Sequence, residues 1–243
     1  GEVDDITLTE SNLHTIYDNP SNEYHDNLVE SRPTKFSYQI HFCWDKYLEN
    51  GEPDTNWNTA IANESFRKAW YYGLDLTPYL ARTNYINPQN CANYAYTMSN
   101  LVSFSDGTEY TQRVMDRLDD ITRASRTAIG IKADGTSFAR YDAAKADEYK
   151  SKAIEELTAK GVTFPVEIDY YIKASDQTAL DNANVMKQMF SDCLGDDFVT
   201  FNIKTYVSSV AKEVRNPQLA SFYVNAWGAD YGDPQNYLGQ EVL

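Results

Sequence analysis

The sequence predicts an α/β protein, a mixed sheet flanked by helices. Three observations carry that expectation. Apolar residues alternate with polar ones at Phe36, Tyr38, Ile40 and Phe42, and again at Val199, Phe201 and Ile203, the period of a strand with one apolar face. Two other stretches repeat at helical spacing: Ala146, Tyr149, Ala153 and Leu157, then Leu180, Ala183, Met186, Phe190 and Cys193. From Phe164 to Ala226 strand and helix patterns alternate, which implies right-handed crossovers and a mainly parallel or mixed sheet.

Taken in order, Val3 to Leu8 reads as a short strand, and Thr9 or Ser11 can cap a helix that Asn19-Pro20 ends near Tyr17. A polar stretch follows to Pro33. The strand at residues 36–42 carries His41 on its polar face, where a lone histidine is structural or solvent-facing. Residues 44–62 read as loop, with a turn cluster from Glu49 to Asp54. Phe66, Ala69, Trp70 and Gly73 then share a helix face, and Thr77-Pro78 restarts a helix with Thr as its cap. Tyr85 to Thr108 is irregular. Val114, Leu118 and Ile121 give a helix from Tyr110 to Ile121, and Asp134-Gly135 is a turn.

Asp142 is a good N-cap for the helix that follows, and Gly161 suits the far side of its end. Phe164 to Ile172 reads as a strand. Asp176 caps the next helix and Gly195 ends it. Val199 to Thr205 is a strand, Ser208 to Arg215 a short helix, and Leu219 to Ala226 the last strand.

At 243 residues the chain can bury one sizeable core or two small ones. Acids outnumber bases 36 to 21, a net charge of -15, and such a field repels phosphate backbones, so nucleic acid is not an expected partner. No apolar run approaches the ~20 residues of a spanning helix. Cys43, Cys91 and Cys193 are an odd number with no C-x-x-C, read as thiols without a disulfide. The start reads as mid-chain sequence and the end stops soon after the last strand, so an excised fragment is expected. There is no G-x-S-x-G, H-E-x-x-H, Walker or G-x-G-x-x-G pattern, and His14, His25 and His41 lack metal-ligand spacing. No metal or cofactor is therefore expected.

The stretch from Asn225 to Tyr237 carries the functional signal. It leaves an apolar strand through the small residues Ala226, Gly228 and Ala229, sets Asp230 at the strand's carboxyl end, and turns at Gly232-Asp233-Pro234. Carboxyl ends of strands are where open α/β sheets bind ligands. An ordinary strand exit with a solvated Asp has the same pattern.

Trp227-Gly228-Ala229-Asp230-Tyr231-Gly232-Asp233-Pro234 resembles the W-x-A-D-Y-x-D-P segment of the oligopeptide and dipeptide solute-binding proteins of ABC importers (family 5). Arg67-Lys68-Ala69 and Asp75 match a second segment of that family, with Phe66, Gly73 and Leu76 departing from it. Tyr141-Asp142 and the helix after it resemble a third, with Ala143 in place of Pro, and the strands and helices from Phe164 onward keep the family's order. The resemblance covers most of the chain and is weakest over 76–140. The longer loop before Phe66 resembles the Gram-positive lipoprotein type.

The resemblance implies one lobe of a type II periplasmic-binding-protein-like fold: residues 1–243 as the C-terminal lobe, with 1–34 a lead-in or hinge segment and 35–243 the lobe proper. It implies a fragment of an extracytoplasmic, cell-surface oligopeptide-binding lipoprotein that hands peptides to an ABC permease, and not an enzyme. Asp230 would meet the peptide's α-amino group, Ala226 and Gly228 would offer backbone groups to it, and Trp227 and Tyr206 would line side-chain pockets or pack in the core. The alternatives are a secreted hydrolase using carboxylates, with Asp230 and Asp233 as its pair, or a secreted interaction protein on the same fold.

Overall fold

The computed structural model describes residues 6–29, 36–92, 96–97, 101–115 and 141–239. The chain divides into two units, 1–35 and 36–243. In the first, helix α1 (Glu10–Tyr17) starts at Thr9, whose hydroxyl accepts the Asn12 N–H, and a single 3-10 turn follows at His25–Asn27. Residues 6–9 form no strand, and the rest of the strand expected at Val3–Leu8 lies outside the described residues.

The second unit is an α/β fold. Its strands are β1 (Phe36–Phe42), β2 (Val166–Lys173), β3 (Val199–Tyr206) and β4 (Phe222–Gly228). β1 pairs antiparallel with β4, and β2 pairs parallel with β3. The mixture of strand directions is the expected one, but it is distributed over two two-stranded sheets rather than one continuous ladder. Among the described residues, a pair of bonds between Asp169 on β2 and Ser221, just before β4, links them.

The helices of this unit are α2 (Thr55–Ala62), α3 (Glu64–Gly73), α4 (Thr77–Leu80), α5 (Tyr110–Met115), α6 (Ala143–Thr158), α7 (Gln177–Leu194) and α8 (Pro234–Leu238). α6 and α7 begin at Asp142 and Asp176, whose carboxylates accept the Lys145 and Ala179 N–H groups, and α7 ends at Gly195 with φ 86°. These caps satisfy backbone donors that the helix itself cannot. The Asp134-Gly135 turn and the far half of the helix expected from Tyr110 lie outside the described residues.

Three expectations need correction. Residues 55–62, read as loop, form α2: Asp54 caps it, and Trp57, Ala60 and Ile61 are buried at i, i+3 and i+4. Its Thr-Asn-rich sequence has low helix propensity, so burial of that face decides the matter. α4 is capped by Leu76 rather than Thr77, because Asp75 takes both the Thr77 N–H and its hydroxyl. The last strand starts at Phe222, not Leu219, and runs on through Gly228. Gln218 adopts φ 56° and Leu219 bonds back to the Val214 carbonyl, which closes a π-helical turn at Ala211–Arg215.

Trp70 sits at the centre of the core. Phe42, Trp57, Phe66, Phe190 and Phe222 all lie with ring centroids 4.8–6.1 Å from it. Gly73 lets α3, α6 and α7 close together, since a Cβ there would stand 2.7 Å from Leu194 and 3.2 Å from Ala146. This core fastens α3 and α7 against one face of the strands, with Phe222 and Val224 of β4 packed on it. The first half of β4 is thereby packed on the core, and its far end runs on beyond it.

Candidate functional site

β4 carries the candidate site. Its register with β1 sets Ala226 opposite Tyr38, Trp227 opposite Ser37 and Gly228 opposite Phe36. The Cys43 N–H donates to the Ser221 carbonyl at 2.9 Å, which fixes the parity of the ladder. Counting from that bond, Tyr223, Asn225 and Trp227 turn their backbone groups toward β1, and Phe222, Val224, Ala226 and Gly228 turn theirs to the opposite edge. No described strand pairs with that opposite edge. Among the described residues, the alternate N–H and C=O groups of that edge from Val224 to Gly228 thus have no strand partner, the pattern that an added extended chain can bond.

Small residues line this edge. Gly228 has Phe36 over it so closely that a Cβ would lie 2.6 Å from the ring. Phe36 and Tyr38 are both exposed on β1 beside Gly228 and Ala226. Ala226 and Gly228 are half-buried, and Ala229 is buried.

Beyond the strand, Asn236 organises the turn. Its Oδ1 accepts the Asp230 N–H at 2.8 Å, and its carbonyl accepts the Trp227 Nε1–H at 2.9 Å. Trp227 is thus half-buried and pinned to α8. Asp230 is exposed, and its backbone, not its carboxylate, is what the turn holds. Asp233 plays a different part and caps α8, accepting the Gln235 N–H at 2.7 Å. One oxygen of Asp233 is therefore spent on the turn, whereas the turn holds Asp230 through its N–H. Tyr237 behind them is fully buried and meets Tyr96 edge-on at 6.3 Å.

Ala226, Trp227, Gly228 and Asp230 therefore share one strand end. Tyr206 closes β3, in the other two-stranded sheet, opposite Lys173. Two contributors escape sequence reasoning. Asn236 stands three residues after a capping Asp, as part of an Asp-Pro turn that looks complete without it. Phe36 reads only as one apolar strand position.

Among the described residues, no group of three or more His, Cys, Asp or Glu side chains is arranged to hold a metal ion. No described helix is long and apolar enough to cross a membrane. None of the three cysteines is in a disulfide. Burial raises the Cys43 and Cys193 thiols above the ordinary range, so neither is an activated nucleophile.

No family model matches the chain. Curated relatives do. The oligopeptide-binding protein AliB of Streptococcus pneumoniae is 25% identical over 238 residues, covering 91% of this chain and 35% of AliB. Oligopeptide-binding protein AmiA of the same species is 27% identical over 191 residues, covering 74% of this chain and 28% of AmiA. The chain thus spans about a third of the length of the curated relatives it matches. These relatives are named as binding proteins, not enzymes. Among solved structures, Listeria monocytogenes OppA bound to peptide superposes with a TM-score of 0.56 at 17% identity, over 86% of this chain and 34% of that one. The substrate-binding domain of an oligopeptide ABC transporter from Bacillus anthracis gives 0.53 at 21% identity, over 85% of this chain and 32% of that one. The fold is that of the type II periplasmic-binding class. In sequence and in fold, then, the chain is similar along most of its length to about one third of an oligopeptide solute-binding protein of the ABC-importer type.

Proposed function

We propose that this chain is the C-terminal lobe of an extracytoplasmic oligopeptide-binding protein that captures peptides for an ABC importer. The observation that carries the reading is the open edge of β4. A strand edge that no described strand covers along Val224–Gly228, floored by small residues and followed by one exposed carboxylate, suits a peptide lying alongside it as an extra strand. Backbone bonds to Ala226 and Gly228 ignore side-chain identity, so a broad range of peptides is expected. Asp230 would meet the α-amino group at the peptide's start. Trp227 and Tyr206 are proposed as walls for side chains. In this reading residues 1–34 lead in from a hinge, a second lobe closes over the ligand, a lipid anchor holds the protein at the cell surface, and a membrane permease takes the cargo.

A two-lobed binder buries its ligand from both sides. One lobe forfeits much of that contact while the peptide's ordering cost remains. This chain alone should therefore bind a mixed peptide pool more weakly than about 100 μM. Titration followed by backbone amide shifts is the test. Shifts confined to Val224–Asp230 support the reading. Saturating shifts that leave Val224–Asp230 unmoved, or none at millimolar peptide, sink it, and micromolar binding by this chain alone contradicts the need for a second lobe.

A further inference from the structure

The two sheets meet at Asp169 and Ser221. The Ser221 N–H donates to the Asp169 carbonyl at 2.8 Å, and the Asp169 N–H donates to Ser221 Oγ at 2.9 Å. Both residues are buried, 5% and 0% exposed. The Asp169 carboxylate is itself held. One oxygen pairs with Lys46 Nζ at 2.8 Å, and the other lies 3.4 Å from both Lys204 Nζ and Asn202 Nδ2.

Lys46 is 1% exposed and has a second carboxylate, Asp54, at 2.6 Å. Asp54 is the N-cap of α2. The Lys46 backbone is clamped to the same helix: its N–H donates to Asn58 Oδ1 at 2.8 Å, and Asn58 Nδ2 donates to its carbonyl at 3.0 Å. Its neighbour Tyr47 donates to the Gln218 carbonyl at 3.0 Å. A continuous series of fixed groups thus runs from α2 through Lys46 and Asp169 to Ser221.

A buried ion pair is a poor device for stability alone. Desolvation of the two charges cancels most of their attraction, and apolar replacements of similar size are often as stable. In some proteins such pairs are kept for the geometry they fix. Here the fixed point is the residue before β4, where hydrogen bonds tie the start of that strand to β2. Past it, the edge of β4 opens.

We propose that the Lys46–Asp169 pair positions the open edge of β4: by fixing Ser221, it sets where the Val224–Gly228 backbone stands for a peptide to bond. The inference rests on the reading of that edge as a peptide ledge. Lys46 and Asp169 touch no ligand in it and are positioning residues.

The test uses this chain, its native amide exchange and peptide-induced amide shifts. Asp169→Asn keeps the size and both backbone-level bonds to Ser221 but removes the charge that holds Lys46. Ser221→Ala removes only the Oγ acceptor and is the milder change should the first fold poorly. Lys46→Met/Asp54→Asn/Asp169→Asn removes all three charges together, so that no carboxylate is left facing the lost ammonium group, and an asparagine at position 54 can still cap α2. In all three, the Ser221 and Tyr223 amides should exchange about 10-fold faster than in wild type, with Leu157 and Ile168 changed less than about 2-fold, as expected of local rather than global opening. Peptide dissociation constants should rise about 5-fold or more. The triple variant is the sharpest readout: it should regain the melting temperature lost by Asp169→Asn without regaining peptide affinity. If exchange and affinity follow the melting temperature across all three proteins, the pair is merely structural and the inference is overturned. If wild type binds peptide and the variants bind it equally well, the inference alone fails. If wild type gives no peptide shifts, the peptide reading fails and the inference falls with it, whatever the exchange rates show.

Discussion

Asn236 holds Asp230 by the backbone: its side-chain oxygen accepts the Asp230 N–H at 2.8 Å, while its main-chain carbonyl takes the Trp227 indole N–H. The aspartate is therefore fixed in place without its carboxylate being used. Asn236→Ala removes the first bond and leaves the second, since a backbone carbonyl survives the substitution. The expected stability loss is that of one partly exposed hydrogen bond, about 0.5–1.5 kcal/mol. Trp227 should stay pinned. Urea unfolding gives the first quantity and Trp227 indole N–H exchange the second. A freely exchanging indole in the variant would show that the side chain, not the carbonyl, anchors the ring.

Gly228 and Phe36 define the next expectation. An added methyl at 228 meets the Phe36 ring at 2.6 Å, and Phe36 is half-exposed. A ring at the surface can swing away, so Gly228→Ala should cost at the low end of the overpacking range, about 1 kcal/mol. Combining it with Phe36→Leu should recover most of that loss. Non-recovery would mean that backbone freedom at 228, and not the ring, is why glycine stands there.

Much of this fold is readable in the sequence because its signals are local. β1, β2, β3, α6 and α7 announce themselves by period, and Asp142 and Asp176 by capping. α2 is not legible because Thr55, Asn56, Asn58 and Thr59 dilute the Trp57-Ala60-Ile61 stripe, and only tertiary burial makes it a helix. What joins distant segments leaves no mark. Nothing in residues 36–42 says that they pair with 222–228, yet the parity that turns Ala226 and Gly228 to the open edge depends on it. In the sequence Asp54 is only the end of a turn cluster and Lys46 and Asp169 carry no signal, and the burial of all three together appears only in three dimensions. The resemblance groups Tyr206 with Asp230, but its strand belongs to the other sheet.

Glu213 gives a pH expectation. Its carboxylate accepts the Ser209, Val207 and Ser208 N–H groups and the Ser208 hydroxyl, and these bonds hold its pKa down to about 2. A carboxylate depressed in the folded state stabilises that state above its unfolded pKa of about 4.3. The contribution is lost as pH falls from there toward 2. The Val207–Ser209 amides should accordingly exchange faster, relative to their intrinsic rates, below pH 4, while Glu213→Gln should be equally loosened at all pH values. Amides in Glu213→Gln that tighten at pH 6 would contradict the assignment.

The thiols separate by burial. Cys91 is exposed, while Cys43 and Cys193 are half-buried, with burial raising both thiols. A thiolate reagent at neutral pH should modify Cys91 in the native protein well before the other two, and all three once the chain is unfolded. Mass mapping after brief labelling checks this. Cys43 or Cys193 reacting first would mean that the core around Trp70 opens more readily than its packing implies.

Asp230 carries the last prediction, and its exposure sets the magnitude. An ammonium group that meets an exposed carboxylate gains only about 0–1 kcal/mol. On this chain alone, Asp230→Ala should therefore weaken a free-amine peptide by no more than about 5-fold. If a second lobe closes over the same contact, as proposed, water is excluded and the uncompensated ligand charge becomes expensive. Removing one member of a buried, hydrogen-bonded charge pair costs about 2–5 kcal/mol, so the loss in a two-lobed protein should be about 30-fold or more. The same peptide with an acetylated end has no ammonium and should be insensitive to the substitution in both settings. Asp233→Asn should behave differently. Its carboxylate caps α8, so the change should alter the stability of that turn more than the choice between free and acetylated ligands. The decisive comparison is wild type and Asp230→Ala against one peptide with free and acetylated ends. Equal binding of both forms by both proteins would remove Asp230 as the amine anchor and leave the backbone edge of β4 as the whole of the recognition.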